Sequence, residues 1–203
     1  MAVHPTTQTG MTLEQFLAWP RIDEKPYLEY IDGQVEEKVS PQLRHNLFTA
    51  RLVDALNRFA EPGRLGFAFP EQRCNFAGRS IVPDIVFLLD GHIICDENGD
   101  LIDELPIPPD IHVEIRSPDQ STVKTVAKLE HSMRQGCQLG WYFDPYRRTI
   151  DVYRPGRPPE RLAADGFLDG SPVLPGFRLP VADIFGWIQY RKPVDPNPPL
   201  PEG

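Results

Sequence analysis

Two acidic residues stand in apolar surroundings that predict buried strands. Asp84 precedes the apolar run at residues 85–89, and Glu114 lies within the run at residues 111–115. Burying an unpaired carboxylate is costly, so each side chain should have a compensating partner. Two carboxylates that converge from adjacent strands form a hard oxygen site for Mg²⁺, which completes its shell with water and substrate phosphate. The backbone carbonyl of Ile115 could supply a further oxygen.

Each acidic residue also has a purely structural interpretation. Pro83-Asp84 can be a turn at the start of a strand, and Glu114 can form a salt bridge with an arginine such as Arg116. Two neighbouring carboxylates would each raise the pKa of the other, and a divalent cation removes that conflict. The pair therefore favours a metal site for Mg²⁺ or Mn²⁺ at Asp84, Glu114 and Ile115.

Two lysines lie four residues apart on a helix predicted after Glu114. Lys124 and Lys128 project from one face of this helix. The packing side of the helix is expected to consist of Val123, Val126, Ala127 and Met133. A lysine near two metal-binding carboxylates can polarise the attacking water and stabilise negative charge in the transition state. The spacing alone equally allows two solvated lysines.

The first half of the chain predicts two helices and a hairpin. Thr12 to Gln15 form a capping box that starts a short helix. Asp32-Gly33 is a strong two-residue hairpin signal between two short strands. Ser40-Pro41 predicts the start of a long amphipathic helix, which Pro62-Gly63 should terminate.

The second half of the chain predicts a partly parallel sheet. The apolar run from Ile81 to Leu89 suggests one strand buried on both faces. Residues 90–109 are acidic and proline-rich, which favours a surface excursion. Strands at 111–115 and 139–143 enclose a helix at about 122–135. A strand, helix and strand in this order form a crossover unit with parallel strands.

Length and composition predict one globular domain. The chain has 203 residues, 40% of them hydrophobic and 25% charged. We expect a flexible N-terminus at residues 1–10, a single domain at 11–190 and a disordered proline-rich tail at 191–203. The sequence has neither an apolar run of membrane-spanning length nor a signal peptide, so we expect a cytoplasmic protein. The three cysteines should be reduced and buried.

The motifs taken together resemble a known family. They comprise Val82-Pro83-Asp84-Ile85-Val86, Val113-Glu114-Ile115-Arg116-Ser117-Pro118, Lys128 followed by Gly136, and Trp141-Tyr142-Phe143-Asp144-Pro145. This order and spacing resemble the Uma-type restriction endonucleases, a bacterial family placed in the PD-(D/E)XK nuclease superfamily. The likeness extends from Met11 to Phe185 and so covers nearly the whole expected domain.

The resemblance implies a restriction-endonuclease-like α/β fold, with a mixed β-sheet flanked by helices and additional β-hairpins. It makes Asp84 the motif aspartate and Glu114 the second carboxylate. The superfamily's usual lysine position, two residues after the glutamate, holds Arg116 here, so Lys128 on the following helix is the candidate catalytic lysine. The same resemblance adds Glu29 as a further acidic residue near the metal. It also adds His45 as a contact to phosphate or to water at the metal.

The first functional hypothesis is a metal-dependent endonuclease that cuts nucleic acid, with DNA favoured, and acts as a homodimer. The second is a binding module on the same fold that does not turn over substrate. Two features support it: the net charge of −8, and a lysine at position 124, where the family resemblance implies an aspartate. A third is a purely partner-binding domain. The acidic charge argues against a general nucleic-acid coat protein, because such proteins cover phosphates with basic residues. An arginine-rich stretch at residues 147–161 is either a phosphate contact or a solvated hairpin.

Overall fold

The computed structural model describes residues 10–118 and 120–189. The helices are α1 (Leu13–Leu17), α2 (Leu43–Ala60), α3 (Thr122–Arg134) and α4 (Val181–Gly186). The strands are β1 (Leu28–Ile31), β2 (Gln34–Glu37), β3 (Gly66–Pro70), β4 (Cys74–Phe76), β5 (Arg79–Ile81), β6 (Ile85–Leu89), β7 (Ile111–Ile115), β8 (Leu139–Asp144), β9 (Thr149–Tyr153), β10 (Glu160–Arg161), β11 (Phe167–Asp169) and β12 (Arg178–Pro180). The predicted tail lies outside the described residues, as do residues 1–9. Among the described helices, none has the length and apolar character needed to cross a membrane.

The predicted capping box and hairpin are both present. The Thr12 hydroxyl accepts from the Gln15 N–H at 3.2 Å, and the Gln15 side chain accepts from the Thr12 N–H at 2.9 Å. Asp32 and Gly33 have φ values of 50° and 81°, and left-handed φ at both positions is what a tight hairpin turn requires. The hairpin contributes β1 and β2 to a four-stranded sheet of order β2-β1-β5-β4.

The apolar run from Ile81 to Leu89 is two strands, so the prediction of a single strand is wrong. β5 ends at Ile81 in the small sheet, and β6 begins at Ile85 in a second, larger sheet. Pro83, between them, has no N–H to donate to a strand ladder, which favours a break in pairing. Asp84 consequently lies at the junction of two sheets.

The larger sheet has the order β10-β9-β8-β7-β6-β3 among the described strands. β7 and β8 are parallel and α3 connects them, which confirms the predicted crossover. The other neighbouring pairs are antiparallel, so the sheet is mixed. Neighbouring residues on β8 face opposite sides of the sheet: Trp141 packs in the cluster that contains Phe48 of α2, and Tyr142 packs against Leu129 of α3. The sheet is therefore flanked by helices.

The long helix α2 starts later than predicted. Its N-cap is Gln42, with extended φ and ψ of −96° and 171° and no side-chain cap bond, so the predicted cap at Ser40 is wrong. Pro41 fits the extended approach because its ring fixes φ near −65°. Phe48, Leu52 and Leu56 are fully buried, which confirms the amphipathic pattern. Their burial anchors the helix that carries His45 to the sheet.

The packing face predicted for α3 is right at Val126 and Met133, which pack against the Leu129 cluster, and wrong at Val123 and Ala127, which are exposed. Val123, which was assigned to it, is 80% exposed. The buried positions of α3 are Thr125, Lys128, Leu129, His131 and Ser132. Polar residues can occupy the inner face because the protein interior supplies partners for them, as Glu114 does for Lys128. The buried positions of α3 are therefore determined by polar pairing as well as by hydrophobicity.

The cysteines and the arginine-rich stretch have simple structural settings. Cys74 and Cys137 are buried as expected, but Cys95 is exposed because it lies in the surface excursion at residues 90–109.

In the arginine-rich stretch, Arg161 forms two bonds to Asp151, at 2.7 and 2.9 Å. This pairing between β9 and β10 favours the interpretation of a solvated hairpin.

Candidate active site

Asp84 and Glu114 converge from neighbouring strands, as predicted. Ile85 pairs with Val113, so the register places Asp84 opposite Glu114 where β6 begins. Their exposed fractions are 1% and 0%. The backbone N–H of Ile115 donates to Asp84 Oδ2 at 2.7 Å, which fixes the carboxylate against β7. The break at Pro83 thus directs one buried carboxylate toward the other.

Both carboxylates retain an oxygen that could bind a cation. Glu114 Oε2 is buried and has no hydrogen-bond partner among the described residues, whereas the buried Asp84 Oδ1 has the Lys38 ammonium group as a neighbour at 2.8 Å. The Ile115 N–H points toward Asp84, whereas the next N–H, from Arg116, bonds to Phe143 on β8. The N–H and C=O of one strand residue face the same neighbour, so the Ile115 carbonyl also faces the side of Asp84. These oxygens match the ligand types that Mg²⁺ takes from proteins.

The candidate site offers few side-chain ligands. Among residues 10–118 and 120–189, no group of three His, Cys, Asp or Glu side chains is arranged to hold a metal ion. Mg²⁺ commonly uses one or two carboxylates and leaves its other positions to water and substrate phosphate. Two carboxylate oxygens and one backbone carbonyl are therefore a ligand set that fits this ion.

Lys128 and Glu29 meet Glu114 inside the protein. Lys128 Nζ lies 3.0 Å from Glu114 Oε1 and 3.2 and 3.3 Å from the two oxygens of Glu29. Glu29 Oε1 also accepts from the Val82 N–H at 2.7 Å, which ties β1 to the break between the sheets. One ammonium group thus holds two buried carboxylates from two different sheets.

His45 contacts the other carboxylate. Its Nε2 lies 2.9 Å from Asp84 Oδ2, and its Nδ1 is 3.5 Å from the Thr49 hydroxyl one helical turn later. Both His45 and Asp84 are buried. All the predicted side chains, namely Glu29, His45, Asp84, Glu114 and Lys128, are therefore linked in one network.

Lys38 is a member of this network that the sequence analysis missed. Its Nζ lies 2.8 Å from Asp84 Oδ1 and donates to the Val82 carbonyl at 2.8 Å. Only 6% of the residue is exposed. Lys38 directly follows β2, where no periodicity or spacing distinguishes it from a solvated hairpin lysine.

His112 is a second residue that was given no role. Its Nε2 lies 3.0 Å from Glu114 Oε1 and its Nδ1 lies 2.7 Å from the Ser132 hydroxyl, which connects β7 to α3. The residue is fully buried. Positions two apart on a strand share a face, so the placement of His112 beside Glu114 could have been predicted once the strand was identified.

The network controls the charges of its members. Burial is the largest influence on the pKa of both Asp84 and Glu114 and would raise it. For Asp84, the nearby Lys38 and His45 outweigh burial and lower the pKa. For Glu114, burial and the negative charge of Asp84 both raise the pKa, but the positive charge of Lys128 opposes them and the net pKa is lowered. Burial would lower the pKa of Lys128, but the surrounding carboxylates raise it. Asp84 does raise the pKa of Glu114, as expected, but the neighbouring cations outweigh this effect and the net pKa is lowered.

Two other basic residues considered from the sequence lie outside the network. Lys124 is on the surface, where its Nζ bonds to Glu36 at 2.8 Å. Arg116 Nη1 bonds to Asp144 at 2.9 Å, so it is not the partner of Glu114. The polar pairing inside the protein therefore selects Lys128, and not Lys124 or Arg116, as the cation beside Glu114.

A cavity of about 240 Å³ opens onto the network and is lined by Glu29, Lys38 and Lys128. A second cavity of about 210 Å³ is lined by His45 and Glu71. A larger cleft of about 630 Å³ beside α1 contacts neither Asp84 nor Glu114. Asp84 and Glu114 do not line the two smaller cavities either, which reach the network only through Glu29, Lys38, Lys128 and His45.

Comparison with known proteins defines the class of this fold. A solved structure, described as a putative nuclease belonging to DUF820 from Anabaena variabilis ATCC 29413, superposes with a TM-score of 0.84 and is 35% identical. The match covers 88% of this chain and 99% of that chain. The mixed sheet flanked by helices is therefore a nuclease fold, as the sequence predicted.

Residues 13–182 match the profile of the Uma2 family, described as "Putative restriction endonuclease". The chain belongs to this family, which confirms the resemblance noted from the motifs. No curated protein matches the chain.

Proposed function

We propose that this protein is a metal-dependent endonuclease that hydrolyses phosphodiester bonds in DNA. The observation that carries the proposal is the pair of buried carboxylates, Asp84 and Glu114, which converge from neighbouring strands beside the buried ammonium groups of Lys38 and Lys128. Membership of a family described as restriction endonucleases supports DNA as the substrate.

The metal ligands in this proposal are Asp84 through Oδ1, Glu114 through Oε2, and the carbonyl of Ile115. A bound Mg²⁺ or Mn²⁺ would act as a Lewis acid on the phosphate and lower the pKa of an attacking water. His45 and the Ile115 N–H hold the other oxygen of Asp84, at 2.9 and 2.7 Å, and so orient the carboxylate toward the ion. His112 performs the same positioning role for Glu114.

The buried cation Lys128 is proposed to act on the chemical step. Hydrolysis adds water across the P–O bond: the water oxygen joins phosphorus, and the leaving oxygen departs with a proton. Lys128 lies between Glu29 and Glu114, where its positive charge can polarise the attacking water and offset negative charge that develops at phosphorus. Glu29 in turn holds the ammonium group in position.

A second copy of the chain would supply a second site for the opposite DNA strand. Closed two-fold dimers are the commonest protein assemblies, and we propose a homodimer on this basis. Light scattering at the working protein concentration should give twice the monomer mass of 23.1 kDa. A monomeric mass would contradict this part of the proposal.

The competing function is a binding module without turnover. It is favoured by the net charge of −8 and by the lysine at position 124, where the family resemblance leads us to expect an aspartate. Such a module would bind DNA or a partner without cutting it. Incubation of the pure protein with plasmid DNA in Mg²⁺ or Mn²⁺ separates the two functions, with EDTA as the control.

Metal binding should be tested separately from cleavage. In isothermal titration, Asp84→Ala and Glu114→Ala should weaken Mn²⁺ binding at least about tenfold, because each removes a direct ligand. Asp110→Asn is a matched control, since Asp110 is also a buried carboxylate but pairs with His92 at 2.8 Å. Unchanged binding in both alanine variants would contradict the proposed metal site.

A further inference from the structure

Lys38 contacts the candidate metal site at a different carboxylate from the one that Lys128 contacts. Its Nζ lies 2.8 Å from Asp84 Oδ1, which is the oxygen assigned above to the metal. Lys128 instead contacts Glu114 and Glu29. Each of the two carboxylates proposed as metal ligands therefore has its own buried lysine, and these lysines line the same 240 Å³ cavity.

The two lysines differ in the hydrogen-bonding capacity that they have left. An ammonium group has three N–H donors. Lys128 Nζ is surrounded by three carboxylate oxygens at 3.0 to 3.3 Å. Lys38 Nζ contacts one carbonyl, that of Val82, and one carboxylate oxygen, both at 2.8 Å, while Glu71 Oε1 is 4.0 Å away and beyond hydrogen-bond distance. Among the described residues, Lys38 thus retains an N–H donor without an acceptor.

The position of this donor matches that of a substrate oxygen. Substrate phosphate commonly completes the shell of a Mg²⁺ ion held by one or two carboxylates. A phosphate that shared the ion with Asp84 Oδ1 would be bound near that oxygen, and Lys38 Nζ is 2.8 Å from the same oxygen. Burial of Lys38 strengthens its attraction for a phosphate, because little water screens the charge.

We infer that Lys38 is a second catalytic lysine, which donates to a nonbridging oxygen of the scissile phosphate. This inference rests on the proposed nuclease function and assigns different roles to the two buried lysines. Lys128 acts beside the attacking water and holds Glu29 and Glu114, while Lys38 offsets charge on the phosphate itself. A purely structural Lys38 would instead serve only to keep Asp84 in place.

Lys38→Met separates these roles because metal affinity and turnover should change in opposite directions. Without a positive charge beside Asp84, Mn²⁺ should bind roughly 3- to 10-fold more tightly in isothermal titration. Plasmid cleavage should fall on the order of 10²-fold, which is typical for loss of one preorganised charge partner. Lys38→Gln removes the charge but can still donate to the Val82 carbonyl, so it gives the same readouts if the methionine variant fails to fold.

Lys25→Met is the matched control. Lys25 is 60% exposed and pairs with Glu71, the same glutamate that lies 4.0 Å from Lys38, and its ion pair does not involve Asp84. This variant should bind Mn²⁺ and cut plasmid as the wild type does. Lys38→Arg, which keeps a charge and donors, should recover part of the lost turnover.

The outcomes that overturn the inference are distinct. If the wild type cuts DNA and both neutral Lys38 variants cut equally fast, Lys38 is not catalytic and the proposed function stands. If Mn²⁺ affinity and turnover both fall at least tenfold, Lys38 only positions Asp84. An equal loss of cleavage in Lys25→Met would assign the effect to Glu71. Failure of the wild type to cut any DNA would overturn the proposed function, and this inference with it.

Discussion

Replacement of Lys128 with methionine tests the buried charge network directly. A helix lysine judged from sequence alone should tolerate substitution, because helix propensities of lysine and methionine are similar. The structure predicts a large loss, since Lys128 is the shared cation of Glu29 and Glu114 at 3.0 to 3.3 Å and all three side chains are at most 7% exposed. Breaking a buried ion pair by removing one partner costs about 3–5 kcal/mol.

Thermal unfolding in EDTA measures this loss. For a domain of this size each kcal/mol shifts the Tm by about 2–4 °C, so Lys128→Met should melt roughly 6–20 °C below wild type. Lys124→Met is the control on the same helix, because the side chain of Lys124 is 66% exposed and its partner Glu36 is at the surface. Surface substitutions usually change stability by less than about 0.5 kcal/mol, so this control should melt within about 2 °C of wild type.

Two further measurements establish the cause of the loss. The double variant Glu29→Gln/Lys128→Met should regain part of the stability, because it removes one of the uncompensated buried charges. Lys128→Met should still bind Mn²⁺ but lose on the order of 10²- to 10³-fold in cleavage. A Tm within 2 °C of wild type would refute the buried pair. Full cleavage by a folded Lys128→Met would refute its catalytic role.

Two predictions concern other parts of the fold. Native protein treated with iodoacetamide should be labelled once, at Cys95, because burial raises the pKa of Cys137 to about 12 and the other buried cysteine is similarly protected; labelling at two or three sites by mass spectrometry would contradict this. Gly66→Ala should lower the free energy of unfolding by at least about 2 kcal/mol in urea, because the added Cβ would lie 2.0 Å from the Leu88 carbonyl oxygen. Gly78→Ala, where φ is also positive but the space is open, should cost less.

Local signals in the sequence determined much of the secondary structure. The capping box at Thr12 and the hairpin at Asp32-Gly33 depend on interactions within four residues, so the sequence contains all the information they require. The parallel pairing of β7 and β8 also followed from the order of elements, because crossover connections restrict the topology. The break at Pro83 was missed because both flanking segments are apolar and periodicity cannot separate them.

The residue types of the candidate site were also visible in the sequence. Asp84 and Glu114 could be singled out because a carboxylate in an apolar strand is costly without a partner. The family motifs added Glu29 and His45 and selected Lys128 among the helix lysines, and the fold brings all five residues together. Their catalytic and metal-binding roles are proposals to be tested by the variants above.

Only the tertiary structure decided which lysines enter the site. Lys124 and Lys128 are equivalent by spacing, but the register of β7 brings Glu114 to Lys128 and leaves Lys124 on the surface. Lys38 and Asp84 lie in segments far apart in the chain, and their 2.8 Å contact exists because β1 joins the hairpin to β5 beside the break at Pro83. Short-range structure and the chemical character of single residues could be read from the order of the amino acids. The partner of each buried charge depends on the way that the two sheets meet, because electrostatic pairing is set by distance in space and not by separation along the chain.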